Sequence, residues 1–256
     1  MKIACWNAEW NSARTSKGRT LRDQLLASGS EIICVPEGHD DFLQDGWHGA
    51  SSDPDAGYPI VPGRRKVTVW SRQPWRQVDT VGSASLPPGR FVHGRTTTSL
   101  GDVDVIAICI PWHMAHVTSG SRDRQAWQDH RAYLAALAEP LANAVDKPCI
   151  VIGDFNQRIP YVRGPADVYE ELQTALTGFR IWTAGPVAGL TARPVCHIGG
   201  SEHFAPGTVF GYSRMIDGIP VSDHDGVAVE VSRSLDPKSS SGRTLDADRK
   251  SKTDLI

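Results

Sequence analysis

Cys149-Ile150-Val151-Ile152-Gly153-Asp154-Phe155-Asn156 is the stretch from which the rest of the chain is read. Four apolar residues form a short strand-like run, and Gly153 marks its end. An acid and an amide follow at once, where a strand gives way to a loop. Three other segments repeat this arrangement: Ile3-Ala4-Cys5-Trp6-Asn7, Ile32-Ile33-Cys34-Val35-Pro36-Glu37 and Val221-Ser222-Asp223-His224. Strand ends gathered on one rim of a sheet bring such residues together although they lie far apart in the chain, and open sheets commonly hold ligands there.

Working outward, strand-like runs are predicted at Lys2–Trp6, Glu31–Val35, Lys66–Trp70, Val92–Ser99, Val103–Ile110 and Cys149–Ile152. Gly101-Asp102, between two of them, marks a hairpin. Helices are expected over Thr20–Ala27, from about Ser121 to Val145, and over Asp167–Leu176. In the second, Trp127, Leu134, Leu137 and Leu141 recur at helical spacing, and Arg122, Arg124 and Arg131 read as its solvated face. Mixed parallel and antiparallel segments point to an α/β (α+β) chain of two packed sheets with helices outside. Residues 1–231 are expected as one domain. The polar stretch 232–256 lacks aromatic residues and reads as a flexible tail.

Composition narrows the classes. With 40% hydrophobic and 22% charged residues the chain is an ordinary globular protein. Its formal net charge of −2 argues against a broad basic surface for nucleic acid but leaves room for a local basic cleft. Cys5, Cys34, Cys109 and Cys149 sit in apolar runs, and with Cys196 they make an odd number, so reduced thiols are expected rather than a disulfide framework. Neither a signal peptide nor a run long enough to cross a membrane is evident, which predicts a cytoplasmic protein with no membrane partner. Nothing calls for an obligate protein partner.

The residue types at the strand ends suit one chemistry. Glu37 and its companion carboxylates offer hard oxygens to Mg²⁺ or Mn²⁺. Asn7 and Asn156 can hydrogen-bond phosphate oxygens without adding charge. Asp154 can take a proton from water, and His224 can stabilise charge or move a proton beside phosphorus. No zinc spacing, GxSxG elbow or Walker loop is present.

In order, these blocks resemble the signature of the endonuclease/exonuclease/phosphatase superfamily, the DNase I-like fold. Cys5-Trp6-Asn7 is similar to its first block, and Cys34-Val35-Pro36-Glu37 to the block ending in Gln-Glu, with Pro36 in place of Gln. Gly153-Asp154-Phe155-Asn156 is similar to its Gly-Asp-Phe/Leu-Asn block, and Ser222-Asp223-His224 to its final Ser-Asp-His. The likeness runs from residue 1 to about 231. It implies a four-layer sandwich and a Mg²⁺-dependent hydrolase of phosphate esters, a phosphodiesterase, nuclease or phosphatase. Glu37, Asn7 and Asp223 would serve the metal. Asp154 would act on the nucleophilic water, Asn7 and Asn156 would hold phosphate, and His224 would contact the scissile group.

Two departures stand out. The family carries an Asp before its final block that pairs with the catalytic His; here Pro194-Val195-Cys196-His197-Ile198 puts Cys196 there. Either another acid serves (Asp217 is a weak candidate), or His224 works differently, or activity is low; the alternative is a catalytically silent phosphate- or nucleic-acid-binding protein on the same fold. In the middle block, Ile110-Pro111-Trp112 lacks the Tyr and Asn of the abasic-site nucleases. His113 or His116 is a candidate catalytic residue there, and Trp112 is expected beside substrate. Pro62-Gly63-Arg64-Arg65-Lys66 would form one wall of a nucleic-acid groove.

Overall fold

A computed structural model of the chain describes residues 1–235. In chain order its elements are β1 (Lys2–Cys5), α1 (Ser16–Ala27), β2 (Ile32–His39), β3 (His48–Ser51), β4 (Arg64–Ser71), β5 (Arg76–Asp79), β6 (Phe91–Thr98) and β7 (Gly101–Cys109). There follow α2 (Gln128–Ala142), β8 (Cys149–Asp154), α3 (Ala166–Ala175), β9 (Arg180–Ile181), β10 (Cys196–Gly200), β11 (Phe204–Tyr212), β12 (Met215–Ile216), β13 (Ile219–Pro220) and β14 (Gly226–Arg233). Two six-stranded mixed sheets form, ordered β11-β14-β1-β2-β4-β3 and β5-β6-β7-β8-β10-β9, with β12-β13 as a separate hairpin.

Alternation along the strands builds the layers. Ile3, Cys5, Ile32 and Cys34 of the first sheet meet Val105, Ala107, Ile150 and Ile152 of the second in one buried core. Their neighbours face outward: Ala4, Trp6, Ile33 and Val35 pack on Leu21 and Leu25 of α1. Cys149 and Val151 pack on Leu134, Leu137 and Leu141 of α2 and on Val168 and Leu172 of α3. The result is α1, sheet, sheet, α2 with α3: the expected four-layer DNase I-like sandwich.

Some boundaries moved. The predicted helix from Ser121 begins only at Gln128, after Trp127 at φ +71°. Residues 121–125 are polar throughout and offer no apolar face to bury, so they stay in a loop tied by Arg124 N–H to the His116 carbonyl. Arg122 and Arg124 therefore lie before the helix, and only Arg131 is on it, bonding Asp167 and Glu171 to hold α2 to α3. The hairpin is present, but the pairing of Thr98 with Gly101 puts its turn at Ser99-Leu100. All five cysteines are free and buried. Strand β14 runs to Arg233, two residues beyond the expected domain end; most of the expected tail, 236–256, lies outside the described residues. Among the described residues no helix is long and apolar enough to cross a membrane.

Candidate active site

Two parallel strand pairs aim the motif blocks at one rim. β1 pairs parallel with β2, and β7 with β8, so their C-terminal ends fall together in each sheet. Past β1 the chain stays on β2: Ala8 N–H donates to the Pro36 carbonyl (2.9 Å) and Trp10 N–H to the Glu37 carbonyl (2.8 Å). The final block is tied to the first. Ser222 Oγ donates to the Asn7 carbonyl (2.7 Å) and Trp6 Nε1 to the His224 carbonyl (2.7 Å).

Asp154 is the centre of the cluster and is 2% exposed. Its Oδ1 accepts from the Asn156 backbone N–H (2.9 Å), and its Oδ2 from Asn7 Nδ2 (3.0 Å) and Asn156 Nδ2 (3.2 Å). His224 Nδ1 lies 3.7 Å from Asp154 Oδ2 and 3.9 Å from Cys196 Sγ. Burial raises the Asp154 carboxyl above its ordinary range; His224 opposes that and Glu37 adds to it. Burial alone would lower the imidazole, but the Asp154 charge and the Cys196 contact override it and push His224 up to about 11. The Asp154 charge thus holds His224 as an imidazolium through neutral pH.

The acid that serves His224 is therefore Asp154. Asp217 is the turn residue between β12 and β13 and has no part in it. The register explains why: β10 pairs antiparallel with β8, and Cys196 sits directly across from Asp154. A carboxylate on the neighbouring strand reaches the same imidazole.

Other expected residues are sorted by their surroundings. Asn7 is fully buried, its Nδ2 donating to Asp154 and its Oδ1 accepting from Glu9 N–H. Asn156 Nδ2 is spent on the Ile110 carbonyl (2.8 Å) and Asp154, which leaves no donor for phosphate. Both amides orient Asp154. Asp223 is on the cleft rim with 56% of its side chain exposed, 3.7 Å from His224 Nε2. His113 packs between Trp112 and Trp127, both centroids 5.3 Å away. His116 is tied at both ring nitrogens, to Asp129 and the Gly57 carbonyl, and stacks on Tyr58, so it is a structural pin. Buried His130 and His197 likewise hold the loop after β8, through the Gln157 side chain and carbonyl respectively.

Two clefts share Trp112, which is 39% exposed. One, of about 600 Å³, is lined by His224, Asn156, Asp223 and Trp127 and by Arg158, Arg163 and Arg214. Burial and the charges of Arg163 and Arg214 lower the Arg158 guanidinium, and Asp225 only partly opposes them. The other, of about 480 Å³, is lined by Glu37, Trp10, Tyr58, Arg64 and Lys66. Of the basic run Arg64–Lys66, Arg64 and Lys66 line this cleft, whereas Arg65 pairs with Asp40. The arginines of the first cleft went unread because they belong to no motif block.

Two donor sets could hold a cation. Asp154, Cys196 and His224 have ligand atoms within 4.8 Å of one another. One carboxylate with a thiol and an imidazole suits a softer ion than Mg²⁺, and the imidazole is already engaged with Asp154. Glu37 offers hard oxygens suited to Mg²⁺. Its Oε1 holds the Lys66 ammonium at 2.5 Å. Burial would raise the Glu37 carboxyl, but Lys66, then His224 and Arg90, more than offset it, and Glu37 is held below its ordinary range.

Residues 4–224 match the Endonuclease/Exonuclease/phosphatase family, and the chain belongs to it. No curated protein matches. Among solved structures, the chain is similar to a 3′-5′ exonuclease (NExo) from Neisseria meningitidis, at 20% identity and TM-score 0.62 over 90% of this chain and 99% of that one. It is similar to the catalytic domain of human Nocturnin with bound sulfate, at 15% identity and TM-score 0.63 over 91% and 94%. A humanized D. rerio TDP2 superposes at 13% identity and TM-score 0.64 over 91% and 98%. At these identities the likeness is one of fold.

Proposed function

We propose that the protein is a divalent-metal-dependent hydrolase of phosphate esters, with phosphodiesters of nucleic acid as the substrate class that fits best. The observation that carries this reading is the Asp154–His224 pair, with His224 lining one of two clefts that share Trp112 and are rimmed by cations and aromatic rings. Arg158, Arg163 and Arg214 on one side and Arg64 on the other suit a backbone with more than one phosphate. Trp10, Trp112 and Trp127 offer stacking surfaces for bases. A 3′ phosphatase from Neisseria on the same fold is bound to a product DNA hairpin, which agrees with nucleic acid as the substrate and not with one ester type.

In this mechanism Asp154, made more basic by burial, takes a proton from the attacking water while the water oxygen bonds to phosphorus and the ester P–O bond to the leaving alcohol breaks. His224, fully protonated, donates Nε2–H to a phosphoryl oxygen and offsets the charge that builds there. Asn7 and Asn156 act through Asp154, fixing its plane. Asp223 on the rim and Glu37 would hold Mg²⁺ or Mn²⁺. Bound there, the ion would polarise the phosphoryl group and stabilise the leaving oxygen.

The test is turnover of bis-p-nitrophenyl phosphate, single- and double-stranded DNA, RNA and phosphomonoesters, each with Mg²⁺, Mn²⁺ or EDTA. Metal-dependent hydrolysis lost in Asp154→Ala and His224→Ala is expected. Folded protein that turns over none of these would overturn the reading and leave the silent binding protein in its place.

A further inference from the structure

Lys66 is placed by the backbone. The antiparallel register that pairs Pro36 with Val67 and Gly38 with Arg65 sets Lys66 opposite Glu37 across β2 and β4. Its ammonium lies 2.5 Å from Glu37 Oε1, and its side chain is 11% exposed. The ring centroids of Trp10 and Tyr58 are 4.7 and 5.1 Å from the nitrogen. Aromatic faces and a carboxylate together form a socket for a compact cation.

The Glu37 backbone is fixed beside that socket. It is in the left-handed region at φ +48°, and its carbonyl accepts from Trp10 N–H, so the loop bearing one wall of the socket is anchored to Glu37 itself. Arg90 adds a second positive charge nearby. It is 3% exposed, its Nη2 has no hydrogen-bond partner, and its guanidinium lies 5.9 Å from the Tyr58 ring. The carboxylate best suited to a hard divalent ion is thus already neutralised by the protein's own cations. An incoming ion meets a like charge in the place it would take.

We propose that Lys66 is a tethered rival for the divalent cation at Glu37, so that the metal binds only as the ammonium withdraws. This rests on the reading of Glu37 as a metal ligand. The withdrawn ammonium would remain within the cleft that Lys66 lines, where a phosphoryl oxygen can receive it. Metal affinity in the free protein is then weak by construction.

The experiment is a Mn²⁺ titration of the full chain without substrate, following free Mn²⁺ by electron paramagnetic resonance. Wild type, Lys66→Met, Lys66→Gln, Glu37→Gln and the Lys66→Met/Glu37→Gln double variant are compared, each checked for fold by circular dichroism. Lys66→Met keeps the stem between the rings and removes the charge. It should bind Mn²⁺ about tenfold more tightly than wild type, the effect of losing one close like charge. Lys66→Gln should follow it, and Glu37→Gln should abolish the gain. Equal or weaker binding by both Lys66 variants would overturn the proposal. So would a gain that survives Glu37→Gln, or no Mn²⁺ binding by any variant. The titration needs no turnover: a protein that hydrolyses nothing yet shows this order keeps the rivalry and loses only the proposed activity.

Discussion

Asp154→Asn should change the protonation of a residue on another strand, and that change can be measured directly. The carboxylate is what keeps His224 charged against burial. With it, the imidazole rises from 6.5 to about 11, a preference for the proton on the order of 10⁴-fold. The introduced amide removes the largest favourable influence and leaves burial, which acts the other way, against the weaker influences of Cys196 and Asp223. His224 should then be neutral at pH 8. The amide also presents N–H toward Asn7 Nδ2, Asn156 Nδ2 or the Asn156 backbone N–H, all of them donors. One buried donor left without an acceptor costs about 2 kcal/mol, which a folded domain can absorb. The assay is ¹⁵N NMR of the imidazoles across pH 5 to 10. In the wild type the His224 nitrogens should keep imidazolium shifts past pH 9; in the variant they should be neutral above pH 7. Hydrolysis should fall by on the order of 10³-fold or more, since both the base and the imidazolium are lost. A His224 that titrates alike in both proteins would refute Asp154 as its partner.

Three further outcomes follow from the same geometry. Cys196→Ala should leave turnover within about tenfold of wild type, because a 3.9 Å thiol contact is weak and Asp154 is untouched; a collapse comparable to Asp154→Asn would return the thiol to the centre of the mechanism. His130 and His197 are each lowered to about 4 by burial, below their unfolded 6.5, so the unfolded chain binds the extra protons between those values. Stability should be whole above pH 6.5 and decline toward pH 4 by up to about 3 kcal/mol for each histidine, read from urea unfolding followed by Trp fluorescence. Gly153→Ala should fail to fold or lose at least about 3 kcal/mol, because a Cβ there would stand 1.9 Å from the Ile108 carbonyl oxygen at φ +147°; a soluble variant of unchanged melting temperature would contradict the tight β7–β8 approach.

The parts of the molecule legible in the sequence were those written in local pattern. Alternation in Ile3–Trp6 and Cys149–Ile152 separates one face for the inter-sheet core from one for the helices, which defines the layers. The motif blocks end those strands, so their convergence follows from parallel pairing. The start of α2 was not legible, because Trp127 continues the apolar spacing while its backbone is left-handed. The hydrogen bonds of Asn7 and Asn156 within the site were not legible for a related reason. An amide in a motif shows what it could donate, and only the packed site shows that Asp154 and Ile110 accept from these amides and that Glu9 N–H donates to Asn7 Oδ1.

Cys196 carries the same lesson about the chemistry. On one strand, a thiol in place of an acid removes the partner of His224. On a sheet, the cross-strand residue is only about 5 Å away, and here that residue is Asp154. The function of one position can therefore pass to its neighbour without any change in the motif that bears the acid. Lys66 is the converse case. It lies outside every block and was visible only as one more basic residue at the start of a strand, yet the register sets it against Glu37. Residues at a strand-end site are selected by cross-strand register as much as by sequence motif, so the charge balance that governs metal and phosphate at this centre is a property of paired strands.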